Sequence, residues 1–451
     1  MSDPLFLSID ALGAAYRSGA LSPVAVTQQC LDRIRACDKA LNAFITVLDK
    51  RALERARTAE AELRAGKDRG PLHGVPVGIK DLVEMEGVPT TFSSRAGSPK
   101  QGKADATVIR NLEAAGAIVI GKTNLLEYAY GAVHPDFGQT NNPWNPKLTS
   151  GGSSGGSAAG VTTGMCYAAL GTDTGGSIRI PASYCGCVGL KPTYGLVPLD
   201  GVQALSWSLD HVGPLARSCA DAAIFLAGLT GRPHRVTAPK LAGMRLGVMQ
   251  HAGAESWLQP EVVTRFDEAV KILEKAGAKI ETVAIPDLAL ASDAVLAMIG
   301  PEASIVHQDL IAREPEKFGE VTRMQIESGF AIPGTAYVRA QLLQQELKRR
   351  FAALFDRIDA VLSPAVPWVA PAEDPPLNDD SGPGEMLYSG LYNLTGLPAL
   401  VLPMGIAGQG LPAGLQIVTP WGEDDLALSI GSVVEAAIGP LRPDVAALVA
   451  P

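Results

Sequence analysis

Apolar and polar positions along the chain alternate between two periods, and the switches between them mark out the elements. In "SPVAVTQQCLDRIRACDKAL" the apolar residues Val24, Leu31 and Ile34 share one helical face. Ser22 stands where a cap is wanted and Pro23 suits the first helical position. The period then drops to two in "DRGPLHGVPVGIKDLVEMEG", with Val75, Val77 and Ile79 on one side and Pro76, Gly78 and Lys80 on the other, which predicts a strand. A helix closing at Gly116 and a short apolar strand, Ala117 to Ile120, follow in "ADATVIRNLEAAGAIVIGKTN". The same succession returns as a strand in "LAGMRLGVMQ", a Pro-started helix with Val262, Phe266, Val270 and Leu273 inward, and a strand ending "KIETVAI". Strands alternating with helices predict an α/β layer protein.

No fixed-period repeat interrupts this pattern, and "PAEDPPLNDDSGPGE", Pro371 to Glu385, reads as a surface loop. It is too short to divide domains. One domain over 1–451 is expected, with a core over about 71–220 and a more variable part over about 233–385.

Composition narrows the class. Of the 451 residues, 47% are hydrophobic and 19% charged, which suits a large buried core rather than a disordered chain. The net charge of −9, with no Lys/Arg-rich run, argues against nucleic acid as a partner. No stretch offers about 18 uninterrupted apolar residues, so no membrane contact is expected. The N-terminus lacks the charged start and cleavage site of a signal peptide. The six cysteines form no C-x-x-C pair or metal array, and Cys185 and Cys187 find no further ligands nearby. A reduced, cytoplasmic protein without metal or cofactor is expected.

Two Gly-rich stretches carry the candidate chemistry. "TSGGSSGGSAAG", Thr149 to Gly160, and "GTDTGGSIRIPASYCGCVGLKPTYG" sit among core-forming residues, unlike a linker, and neither matches a phosphate-binding pattern. What remains is a nucleophile turn. Small residues at 174–177 can expose backbone N–H groups to a developing oxyanion while Ser177 attacks. A serine needs a base, and none of the six histidines stands in a motif of its own. A buried lysine that loses its proton can serve instead, and Lys80 stands on a strand face kept small by Pro76 and Gly78.

Together with "VPVGIKDLV", these stretches resemble the amidase signature family, and "GKTNLLEYAYG", "NNPWNP", "SLDHVGPLARS", "DAVLSPAVP" and "YNLTGLPALVLPMG" extend the likeness over nearly the whole chain. The resemblance implies a large mixed β-sheet core covered by helices on both faces. It assigns Lys80 as base, Ser153 as a bridging serine behind a cis Gly152–Ser153 peptide, and Ser177 as nucleophile. It makes Thr174, Gly175, Gly176 and Ser177 the oxyanion hole, with Asp173 and Arg179 holding the turn. Ser154 is expected as a supporting hydrogen-bonding residue. Tyr128, Tyr130, Trp207, Ile332 and Tyr388 are expected as pocket walls for an apolar or aromatic group.

The resemblance leaves three functions open. The first is a stand-alone amidase, a monomer or homodimer, hydrolysing C–N bonds of small amides and also aryl amides, carbamates or esters. The second is the glutaminase subunit of a tRNA-dependent amidotransferase. The third is a catalytically silent scaffold, which the intact triad disfavours. After "KPTYG" this chain reads "LVPLDGVQALSWSLDHVGP", without the Arg-Tyr-Gly segment of amidotransferase subunits, and the stand-alone amidase is the expected reading.

Overall fold

The computed structural model describes residues 3–238, 240–250, 256–285, 288–376 and 381–449. Among them one mixed sheet runs through the molecule. Its strands in chain order are β1 (Phe44–Val47), β2 (Pro76–Lys80), β3 (Ile118–Thr123), β4 (Ala168–Asp173), β5 (Val188–Lys191), β6 (His211–Ala216), β7 (Arg245–Met249), β8 (Lys279–Val283), β9 (Ala360–Pro364), β10 (Ala399–Ile406) and β11 (Pro412–Val418). Their order across the sheet is β1-β3-β2-β4-β6-β5-β10-β11-β9-β7-β8. β3, β2 and β4 run parallel, as do β9, β7 and β8, and the strands between pair antiparallel. The fold is the α/β arrangement expected, with helices on both faces of the sheet.

The alternation in β2 shows why both faces are covered. Every residue of Pro76–Lys80 is buried, polar side included, because β2 lies between two parallel strands. Gly78 fits there since a Cβ would press on the Thr123 methyl, Ala169 and Cys166. The helix Pro23–Leu41 forms as predicted, with Ser22 Oγ accepting from the Ala25 amide. Its buried face is Val26, Cys30, Leu31, Ile34 and Cys37, and Val24 is only half-buried. The helix Pro260–Lys275 joins β7 to β8 as a parallel crossover, burying Val262, Phe266 and Leu273.

The first Gly/Ser stretch turns out to be partly helical. Gly155–Thr162 is a completely buried helix in which a side chain at Gly156 would collide with the backbone of Ala43 and Asn124. Glycine is required there by close backbone approach rather than by flexibility.

The surface-loop reading of Pro371 to Glu385 needs correction at its ends. Residues 377–380 lie outside the described residues, but Ser381–Glu385 is helical and Glu385 is buried. All six cysteines are free and buried. No described helix is long and apolar enough to cross a membrane.

Candidate active site

β2 and β4 are parallel neighbours, and their carboxyl ends bring Lys80 beside Thr172. Such strand ends are where open α/β sheets build sites, because the chain leaves the sheet there and loops converge. From β4 the chain turns at 174–178 and enters the helix Arg179–Cys185, so the second Gly-rich stretch is a strand-to-helix turn. The first stretch reaches the same place through residues 149–154, where the Gly152–Ser153 peptide is cis.

Lys80 Nζ is completely buried and donates to Ser153 Oγ at 2.7 Å, Thr172 Oγ1 at 2.8 Å and Ser154 Oγ at 2.9 Å. Each partner is a neutral hydroxyl. Burial therefore pushes the Lys80 amine down to about 7, against the opposing pull of Asp173 and then Asp210. Lys122 is also fully buried but sits directly on a carboxylate, Asp81 Oδ1 at 2.8 Å.

The hydroxyl directions follow by counting hydrogens. Three donated bonds exhaust an ammonium, whereas a neutral amine has two hydrogens and a lone pair. Ser154 Oγ spends its own hydrogen on the Thr172 carbonyl, so toward Lys80 it accepts. The lone pair of neutral Lys80 is left to face Ser153 or Thr172. Of these two, Ser153 stands on the pocket wall.

The turn at 174–177 is held from three sides. Thr174 Oγ1 donates to Asp210 Oδ1 at 2.6 Å, and Ser389 Oγ to the Gly175 carbonyl at 2.5 Å. Asp173 Oδ2 accepts from the Ile178 amide. Gly176 has φ +147°, and a side chain there would strike Ser389 Oγ and Ile180 Cδ1. Among the described residues the amides of Gly175, Gly176 and Ser177 donate to no protein group. The half-buried Ser177 leaves its hydroxyl open on the pocket, and its carbonyl accepts from the Ser154 amide.

Beneath the turn, Arg179 is buried with Asp173 in a two-pronged ion pair, Nε and Nη2 each at 2.9 Å. It also donates to the Ser389 carbonyl, Gln416 Oε1 and Asn393 Oδ1. Burial alone would raise the Asp173 carboxyl, but the Arg179 charge and hydrogen bonds outweigh it and hold it well below the ordinary range.

The pocket over Ser177 is narrow, about 50 Å³, and is walled by Leu126, Ala129, Tyr130, Ile180, Leu205, Ile299 and Met386, with Asp374 and Glu385 among them. Of the five residues expected as walls, Tyr130 lines it. Tyr128 instead stacks on Phe92 and donates to the Ala96 carbonyl. Trp207 is half exposed, Ile332 packs on Gly300, and Tyr388 is completely buried away from the wall. Thr172, Asp210, Ser389, Glu385 and Asp374 were not singled out from the sequence. Only Thr172, next to Asp173 on the strand that must neighbour β2, carried a local signal. Among the described residues no His, Cys, Asp or Glu cluster could hold a metal ion.

The family model described as Amidase matches residues 25–428. The chain is 38% identical over 441 residues to a protein of Thermosynechococcus vestitus named as one subunit of glutamyl-tRNA(Gln) amidotransferase, covering 88% of this chain and 91% of that protein. A crystal structure of an amidase superposes with TM-score 0.88 at 32% identity, covering 96% of this chain and 100% of that one. The corresponding amidotransferase subunit of Thermotoga maritima superposes with TM-score 0.80 at 30% identity, covering 97% and 96%.

These relatives correct two expectations. The stand-alone amidase gives way, because proteins alike over nearly the full length are named as one subunit of an amidotransferase. The expectation of a small-molecule substrate alone, no nucleic acid and a monomer or homodimer gives way with it, since that name states a tRNA and a place in a larger enzyme. The missing Arg-Tyr-Gly segment had pointed the other way. It belongs to one loop, around residues 196–209, and a single loop weighs less than identity along the whole chain.

Proposed function

The chain belongs to the amidase family, an enzyme acting on C–N bonds of amides, and from that premise we propose that it is the amide-cleaving subunit of a tRNA-dependent amidotransferase, taking its nitrogen from glutamine. The carrying observation is the near full-length likeness to the amidotransferase subunits, joined to a buried lysine bonded to Ser153, which with Ser177 and the turn at 174–177, whose amides are unpaired among the described residues, lines one pocket.

In this reading Ser177 Oγ attacks the side-chain carbonyl while its proton passes through Ser153 to the neutral Lys80 amine. The amides of Gly175, Gly176 and Ser177, with Thr174 completing the turn, receive the oxyanion. The C–N bond breaks, the returning proton leaves with ammonia, and an acyl-Ser177 ester remains. Water, deprotonated by the same relay, releases glutamate and restores Ser177. The ammonia passes to an acceptor held by partner subunits and the tRNA. Six buried free thiols are in keeping with a cytoplasmic setting.

The test is ammonia release from glutamine, together with glutamine-dependent amidation of glutamyl-tRNA, by the chain assembled with the other subunits of such an enzyme. Turnover of both is expected. Assembly that yields neither overturns the reading.

Two predictions arise here. Because the relay needs Lys80 neutral, and its amine sits near 7 through burial, kcat/KM should fall with unit slope below about pH 7 as the amine gains its proton. A rate flat from about pH 5 to 9 would remove Lys80 from the chemistry. Gly176→Ala should lower kcat by about 10²–10³-fold, because the added carbon displaces Ser389 and turns the amides from the oxyanion. Steady-state kinetics on glutamine with a folding check by circular dichroism would measure it, and unchanged kcat would contradict that role.

A further inference from the structure

One buried carboxylate belongs neither to the relay nor to the pocket lining, yet it ties two of the pocket's walls together. Glu302 lies on the helix Leu288–Arg313, three residues after the wall residue Ile299, a spacing that makes the two neighbours on one helical face. Each of its oxygens accepts twice. Oε2 takes Ser206 Oγ at 2.7 Å and the Ser208 amide at 3.1 Å, and Oε1 takes Ser208 Oγ at 2.6 Å and the Tyr337 hydroxyl at 2.8 Å. Displacing a buried carboxylate from its donors is costly, so these four bonds hold as a unit.

Residues 203–209 form no helix or strand, although they carry the wall residue Leu205. Side-chain bonds at its two flanks fix this loop instead. On the inner flank Asp210 Oδ2 accepts from the amides of Leu205 and Ser206, at 2.9 and 3.1 Å, while its Oδ1 holds Thr174. That carboxylate serves the reacting turn. On the outer flank Glu302 binds the loop to the helix of Ile299, and none of its four bonds goes to Lys80, Ser153 or Ser177. In a pocket of about 50 Å³, the gap between Leu205 and Ile299 decides whether one more methyl group enters.

Resting on the amide-cleaving reading of Ser177, we propose that Glu302 is a specificity-determining positioning residue. By clamping loop 203–209 to the helix Leu288–Arg313 it holds Leu205 close to Ile299 and selects amides unbranched at the carbon next to the carbonyl. With ammonia as leaving group, the acyl part is all that the pocket must sort. Glutamine, with a CH₂ beside its side-chain carbonyl, is of the class selected.

The test compares butanamide with 2-methylbutanamide as substrates of the chain, alone and in its assembly. The kcat/KM ratio of unbranched over branched amide should be about tenfold or more in the native chain. Glu302→Met keeps much of the volume and none of the bonds, and should bring the ratio toward one by lowering KM for the branched amide, with kcat for butanamide little changed. Glu302→Gln should restore the native ratio, because its oxygen accepts from Ser206 and the Ser208 amide while its NH₂ donates to the Ser208 and Tyr337 hydroxyls. Leu205→Ala widens the gap directly and should shift the ratio the same way, without adding to Glu302→Met in the double variant. Where Glu302→Met folds poorly, Ser206→Ala with Ser208→Ala frees the loop from its own side. Calorimetric binding of the two amides to Ser177→Ala reads the same preference without turnover. A native ratio near one, or a ratio unchanged when the clamp is cut while both rates fall together, overturns the proposal. Glutamine-dependent amidation of glutamyl-tRNA with a native ratio near one refutes only the clamp. A ratio that collapses in the variants, without transfer to tRNA, upholds the clamp and refutes only the amidotransferase. Neither binding nor turnover of either amide overturns the clamp even where glutamine is cleaved.

Discussion

Ser177→Ala should reduce amide turnover by about 10⁴–10⁶-fold while leaving the fold intact. Ser177 is the half-buried hydroxyl at the end of a turn whose three successive amides, among the described residues, lack protein partners. Removing Oγ deletes the covalent route altogether, and the unpaired amides then have only slow attack by water to stabilise. The hydroxyl holds up no structure, since among the described residues it makes no hydrogen bond, and the Ser177 carbonyl contact to the Ser154 amide survives the change. The expected pattern is therefore lost kcat, lost acyl-enzyme on mass spectrometry and a melting temperature close to that of the native chain. Substantial turnover by the alanine variant would show that another group attacks.

Arg179→Met should cost about 3–5 kcal/mol of folding stability, the range seen when one partner of a buried pair is removed. Four acceptors converge on this guanidinium: the Asp173 carboxylate, the Ser389 carbonyl, Gln416 and Asn393. Methionine fills much of the volume but leaves a charged carboxylate buried with, among the described residues, Asn393 and the Ile178 amide alone to donate to it. The pH dependence has a definite sign. Asp173 is held below its unfolded value, so the pair's contribution is present above about pH 4 and is lost as the pH falls through the lower folded value. Without Arg179 that carboxyl rises, and the variant should regain part of its relative stability in acid. Urea unfolding of Arg179→Met, Asp173→Asn and the double variant checks this. Strong non-additivity is expected, because the Asn–Met pair buries no lone charge. Additive losses would show that the two side chains act separately.

Much of the architecture was legible because it is local. The period-two run at Pro76–Lys80, the cap at Ser22 and the strand-helix-strand unit around Pro260–Lys275 need only neighbours a few residues apart, and all three form. The stretches holding Lys80, Ser153 and Ser177 were legible for a related reason. Glycine where a turn takes φ +147°, or where backbones nearly touch, leaves a mark in the chain itself. The pocket was not. Tyr128, Trp207, Ile332 and Tyr388 look like wall residues in sequence, yet whether a side chain faces a cavity depends on tertiary partners, such as Phe92 for Tyr128 and Gly300 for Ile332.

By itself, then, the sequence determined the α/β class, the family resemblance and the stretches that hold Lys80, Ser153 and Ser177, since periodicity and glycine placement are properties of short segments. Tertiary structure decided what surrounds them. It carried Ser389, Asn393 and Gln416 more than 200 residues along the chain to Arg179. It closed three hydroxyls around Lys80 so that burial lowers its amine, and it turned Glu385, at the end of an apparent surface loop, into the wall of the pocket. Burial and charge compensation are sums over groups that only folding brings together, so no local pattern contains them.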